Sequence, residues 1–80
     1  MSKLVDFLKG FSNDISWNCT ILGDGTEYCV GRAKGKVFFI KHPPNQRWEM
    51  EMVNSLTKIN MTSEAETKEQ ALRWCNDNNR

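Results

Sequence analysis

Apolar residues recur along this chain with two different periods. Near the start Leu4, Phe7, Leu8 and Phe11, with Val5 beside them, recur at helical spacing. At about 100° per residue these side chains cover about 160° of a helix circumference, a stripe suited to packing on a sheet. Ser2 can cap this helix and Gly10 can stop it. From Ile15 the period falls to two: Ile15, Trp17, Cys19 and Ile21 alternate with Ser16, Asn18 and Thr20. That is the pattern of a strand with one dry face. Gly23-Asp24-Gly25 supplies a hairpin turn, and Glu27 to Ala33 the return strand, with Gly31 marking a bulge. Lys34-Gly35 turns the chain again into a third strand, Lys36 to Lys41. His42-Pro43-Pro44-Asn45-Gln46 then reads as a loop, because proline donates no ladder hydrogen bond and restricts the residue before it.

Beyond the loop Trp48, Met50 and Met52 alternate with Arg47, Glu49 and Glu51, a fourth strand with one apolar and one charged face. Leu56, Ile59 and Met61 fit neither period, so Leu56 to Met61 reads as a short fifth strand or an irregular connection. Thr67 with Gln70, and Ser63 with Glu66, match the capping-box spacing ahead of Ala71, Leu72, Trp74 and Cys75 on one helical arc. A second helix follows, and Asn76 to Arg80 reads as a frayed tail. The expected fold class is α+β: an antiparallel sheet of three to five strands with an N-terminal and a C-terminal helix, in one domain spanning 1–80.

Composition limits what such a domain can be. Eighty residues bury only about 60% of the surface exposed by the unfolded chain, which leaves room for one core. The chain is 39% apolar and 26% charged with a net charge of +1. This near-neutrality argues against a protein living mainly on phosphate, whose grip comes from many Lys and Arg contacts together. Residues 1–10 hold no apolar run fit for a signal peptide, and no window approaches the roughly 20 residues of a membrane span. The expected location is the cytoplasm, with no membrane partner. Asn18-Cys19-Thr20 and Asn60-Met61-Thr62 are then chance matches to the glycosylation pattern.

Cys19, Cys29 and Cys75 are odd in number and lack C-x-x-C spacing, so three half-buried thiols are expected rather than a disulfide framework or a zinc knuckle. Turn geometry bears on one pair. A three-residue loop centred on Asp24 sets Cys19 opposite Cys29, whereas a two-residue turn at Asp24-Gly25 shifts the register by one and separates them.

Catalytic chemistry finds little support. Gly31-Arg32-Ala33-Lys34-Gly35-Lys36 has a glycine spacing one residue short of a phosphate loop, is followed by Val37 rather than Ser or Thr, and leads into a strand. His42 stands alone beside two prolines. Glu49/Glu51 fall on the wet face of a strand and Glu64/Glu66 at a helix start, where acids favour the helix dipole. No enzyme, cofactor or metal is expected.

What remains is surface. Between Glu27 and Glu49 there is no carboxylate, while Arg32, Lys34, Lys36, Lys41 and Arg47 fall there with Tyr28, Phe38, Phe39 and Trp48. Strand neighbours point to opposite faces, so Phe38 and Phe39 cannot share one core. Either the third strand is central and covered on both sides, or one of these rings is exposed among cations. The expected partner-binding set is Arg32, Lys34, Lys36, Phe38, Phe39, Lys41 and Arg47.

The order helix, three strands, helix, with His42-Pro43-Pro44 before a strand and Lys68-Glu69-Gln70-Ala71 opening the last helix, resembles a double-stranded RNA-binding domain. That family grips phosphates with several lysines at the start of its final helix. Here Lys68 stands alone there among Glu64, Glu66 and Glu69, so the likeness concerns topology. In size, fold and want of catalytic groups the chain also looks like the small accessory proteins of bacteriophages and mobile elements that inhibit host factors, anti-CRISPRs among them. This resemblance implies a protein-binding module that inhibits a larger host complex, working in the cytoplasm of the host. A nucleic-acid-binding module using the same block is the alternative, and homodimerisation through an uncovered strand edge is a further expectation.

Overall fold

In a computed structural model of the chain, residues 15–79 are described. They form five strands, β1 (Ser16–Ile21), β2 (Glu27–Ala33), β3 (Lys36–His42), β4 (Trp48–Asn54) and β5 (Asn60–Ala65), followed by one helix, α1 (Lys68–Asp77). The sheet runs in the order β1-β2-β3-β4-β5 with every pair antiparallel, so each strand lies beside its neighbour in sequence. This corrects the expected sheet with a helix at each end. Among the described residues α1 is the sole helix, and the predicted helix over Leu4 to Phe11 lies outside them.

Alternation builds the two faces. Four cross-strand rows form the inner one: Ala33, Lys36 and Asn54; Trp17, Gly31, Phe38, Met52 and Met61; Cys19, Cys29, Ile40, Met50 and Ser63; and Ile21, Glu27 and His42, which stacks on Trp48 beside Ala65. Cys29, Phe38, Ile40, Trp48, Met50 and Met52 are buried there. α1 lies against β4 and β5, with Ala71 and Cys75 in the same core and Leu72 and Trp74 beside it. Thr67 caps α1 by accepting a hydrogen bond from Gln70 N, and Gln70 Oε1 accepts one from Glu66 N. Asn76 and Asp77 continue the helix rather than fraying.

The first turn takes its three-residue form. Leu22 N donates to Thr26 O and Gly25 N to Leu22 O, while Asp24 Oδ1 accepts from Thr26 N. Gly25 sits at φ 93°, a conformation that glycine adopts without steric cost. The resulting register sets Cys19 against Cys29, and the two are joined in a disulfide. Cys75 is therefore the one free thiol.

Three other expectations change. Gly31 makes no bulge, because β2 pairs without interruption on both sides. Its missing side chain serves packing instead: a Cβ there would lie 2.7 Å from both Ile15 Cγ2 and Trp17 Cζ3. The fifth strand exists but begins at Asn60; Leu56 to Ile59 belong to the turn before it. Finally, β1 is an edge strand whose dry face fades along its length, Trp17 being half-buried and Ile21 64% exposed.

Candidate partner-binding surface

The sheet divides the expected contact set by face and by end. Phe38 points inward and is completely buried, so it is corrected from contact residue to core residue. Its neighbour Phe39 points to the outer face, where it is half-buried and stacks on Tyr28 with ring centroids 6.4 Å apart. These two rings, with Lys41, Glu49, Thr62 and Glu64, line a shallow hollow of about 500 Å³.

Lys41 and Arg47 lie toward the end of the sheet that carries the β1–β2 turn and the β3–β4 loop. Strand pairing brings carboxylates to both: Lys41 is 3.9 Å from Glu49, and Arg47 is 3.2 Å from Glu64 and 3.7 Å from Glu66. Lys68 at the same end pairs with Glu27 at 2.6 Å. Asp24, in the first turn, is held below the usual carboxylate range by the backbone hydrogen bond from Thr26. The cations here are matched by anions the linear sequence keeps far away.

The opposite end is different. The β2–β3 turn and the β4–β5 turn lie side by side there, tied by hydrogen bonds from Ser55 N and Ser55 Oγ to Gly35 O, both 3.0 Å. Asn54 Oδ1 accepts from Leu56 N and Thr57 N, and Lys58 takes φ 65°, which fixes the second turn. Residues 31–38 and 52–61, which build this end, supply Arg32, Lys34, Lys36 and Lys58 and no carboxylate, the nearest being Glu51 one row further in, whose Oε2 lies 3.5 Å from Asn60 Nδ2. Among the described residues, none of Arg32, Lys34 and Lys58 forms an ion pair. Leu56 lies over the Gly35 turn and is 83% exposed, and Ile59 is 57% exposed.

The structure thus keeps Arg32, Lys34 and Lys36 at one end of the sheet, with Arg32 on the outer face and Lys36 on the inner one, and sends Lys41, Arg47 and Phe39 elsewhere. It adds Leu56, Lys58 and Ile59, which sequence reasoning missed. The signal for them was the stretch Leu56 to Met61 that fitted neither period, since apolar residues outside any period have no core to enter.

No family model, curated protein or solved structure matches this chain. No helix among the described residues is long and apolar enough to cross a membrane.

Proposed function

We propose that this protein is a non-catalytic protein-binding module that presents its two basic turns to an acidic, partly apolar surface of a partner protein. The observation that carries the reading is that Lys34 and Lys58, which form no ion pair among the described residues, stand beside an 83% exposed leucine on two turns bonded to each other. Charge alone would suit any polyanion. A large aliphatic side chain held among the cations suits a protein groove, where a desolvated anchor supplies affinity and surrounding charges steer approach.

Nucleic acid is the weaker reading. A single-strand binder needs rings on which bases can stack next to its cations. Here Phe38 and Trp48 are buried, and the hollow that Tyr28 and Phe39 line beside Lys41 is also lined by Glu49, Glu51 and Glu64, carboxylates that repel a phosphate backbone. The inhibitory role implied by the resemblance to phage accessory proteins fits such a module, because blocking a host complex needs a rigid surface rather than chemistry.

The test is affinity capture with the tagged full chain from a lysate of its source cell, in nuclease-treated and untreated halves. A specific protein should survive nuclease and be lost with Leu56→Asp or with the pair Lys34→Glu, Lys58→Glu. Recovery of nucleic acid alone, or capture indifferent to all three substitutions, would overturn the reading.

A further inference from the structure

A second feature lies on the inner face of the first hairpin. The β1–β2 register sets Cys19 directly opposite Cys29, and Glu27, two residues before Cys29, points to the same face. Glu27 Oε2 lies 3.9 Å from Cys29 Sγ, and the two sulfurs and the carboxylate oxygen all lie within 4.8 Å of one another. Cys29 is buried, Glu27 half-buried and Cys19 exposed, so the group is walled on one side and open on the other.

We propose that reduction of the Cys19–Cys29 disulfide turns this group into a three-ligand site for a thiophilic divalent cation of the Zn²⁺ class. Zinc takes thiolates at about 2.3 Å and carboxylate oxygen at about 2.0–2.2 Å in a tetrahedron, which puts two sulfurs about 3.8 Å apart. Side-chain adjustments of about 1–2 Å bring the cluster, whose atoms lie within 4.8 Å of one another, to those distances, and the exposed side at Cys19 gives the ion an approach and a water the fourth position. The step needs a reductant. A dithiol supplies two electrons and two protons, its own sulfurs closing into a disulfide while Cys19 and Cys29 become thiols. Metal binding then releases both protons as the thiolates form. Lys68, whose Nζ lies 2.6 Å from Glu27 Oε2, competes with the ion for that carboxylate.

Cadmium reports such a site through its ultraviolet thiolate charge-transfer band. The full chain would be reduced with a dithiol, desalted without oxygen and titrated with Cd²⁺, beside an oxidised sample. The reduced chain should bind one equivalent and the oxidised chain none, and Zn²⁺ should raise the Tm of the reduced chain only. Cys19→Ser should abolish the band and Cys75→Ala should keep it. Glu27→Gln should weaken binding at least about tenfold, since even outer-shell partners of metal ligands carry about 10–100-fold. Lys68→Met should tighten it by removing a nearby positive charge. The proposal falls if the reduced chain shows no band, if the band follows Cys75 instead of Cys19, or if Glu27→Gln leaves the Kd unchanged.

Discussion

Phe38 and Phe39 are adjacent in β3 and chemically identical, yet the pleat gives them different roles, and the difference can be measured. Phe38 is fully buried, its ring centroid 6.5 Å from that of Trp17, between Gly31 and Met52 in the register. Removing a ring from such a site costs about 3–5 kcal/mol, because transfer energy and the cavity left behind add. A domain of 80 residues has a total stability of about 4–12 kcal/mol. Phe38→Ala should therefore lose a quarter or more of it. Phe39 is half-buried against Tyr28. It should lose about half of the roughly 1.5–3 kcal/mol of a full burial, together with a stacking contribution of about 0.5–1.5 kcal/mol. Urea unfolding followed by tryptophan fluorescence reads both variants. Should Phe38→Ala fail to fold, Phe38→Leu should still cost about 1–2 kcal/mol and is compared with Phe39→Leu, which should cost less because that ring is only half-buried. Equal losses at the two positions, or a larger loss at Phe39, would refute the assignment of faces.

Gly31→Ala should cost about 1–3 kcal/mol by overpacking, as its Cβ would meet Ile15 and Trp17 at 2.7 Å, whereas Gly23→Ala, with nothing within 4 Å, should not destabilise; equal urea midpoints would contradict the close approach. Burial pushes the Cys75 thiol up to about 12 from 9.0. The folded chain therefore keeps a proton that the unfolded chain gives up, so stability should fall as pH rises from about 9 toward 12. In the folded chain at neutral pH Cys75 should also resist iodoacetamide until urea exposes it, and rapid native alkylation would contradict the packing. The disulfide closes a loop with a sequence separation of 10, for which chain entropy gives about 2.5–3 kcal/mol; reduction in the absence of metal should lower urea stability by about that amount, and an unchanged curve would argue that the bond is not formed.

Much of this fold was legible where a local rule acts alone. Trp48, Met50 and Met52 announce β4 by alternation, Thr67 and Gln70 announce the start of α1, and Gly23-Asp24-Gly25 announces the first turn. The turn also fixed the only cysteine pairing its register allows, although the sequence could not decide between two and three loop residues. Long-range effects stayed hidden. Nothing in the neighbourhood of Arg47 shows that Glu64 and Glu66 come to it across β4 and β5, so the Lys41 and Arg47 part of a basic block in sequence came to lie, among the described residues, at an end where carboxylates outnumber cations. Gly31 read as a bulge because a missing side chain signals either a kink or a close neighbour, and only the packing of Ile15 and Trp17 distinguishes the two. The metal-ligand cluster escaped for the same reason: Glu27 and Cys29 have no recognised spacing until Cys19 is placed across from them.

The central claim is that the end bearing Arg32, Lys34, Leu56 and Lys58 makes the contact, and the end bearing Lys41 and Arg47 does not. It is tested most directly by the Kd of the captured partner for three forms of the protein: unaltered, Lys34→Glu with Lys58→Glu, and Lys41→Glu with Arg47→Glu. The first pair should weaken binding at least about tenfold, since reversing charges that have no ion pair among the described residues, at a complementary surface, creates like-charge repulsion. The second pair should change it by less than about twofold, because those cations are exposed and already answered by carboxylates of their own chain. The reverse order of effects would contradict the account.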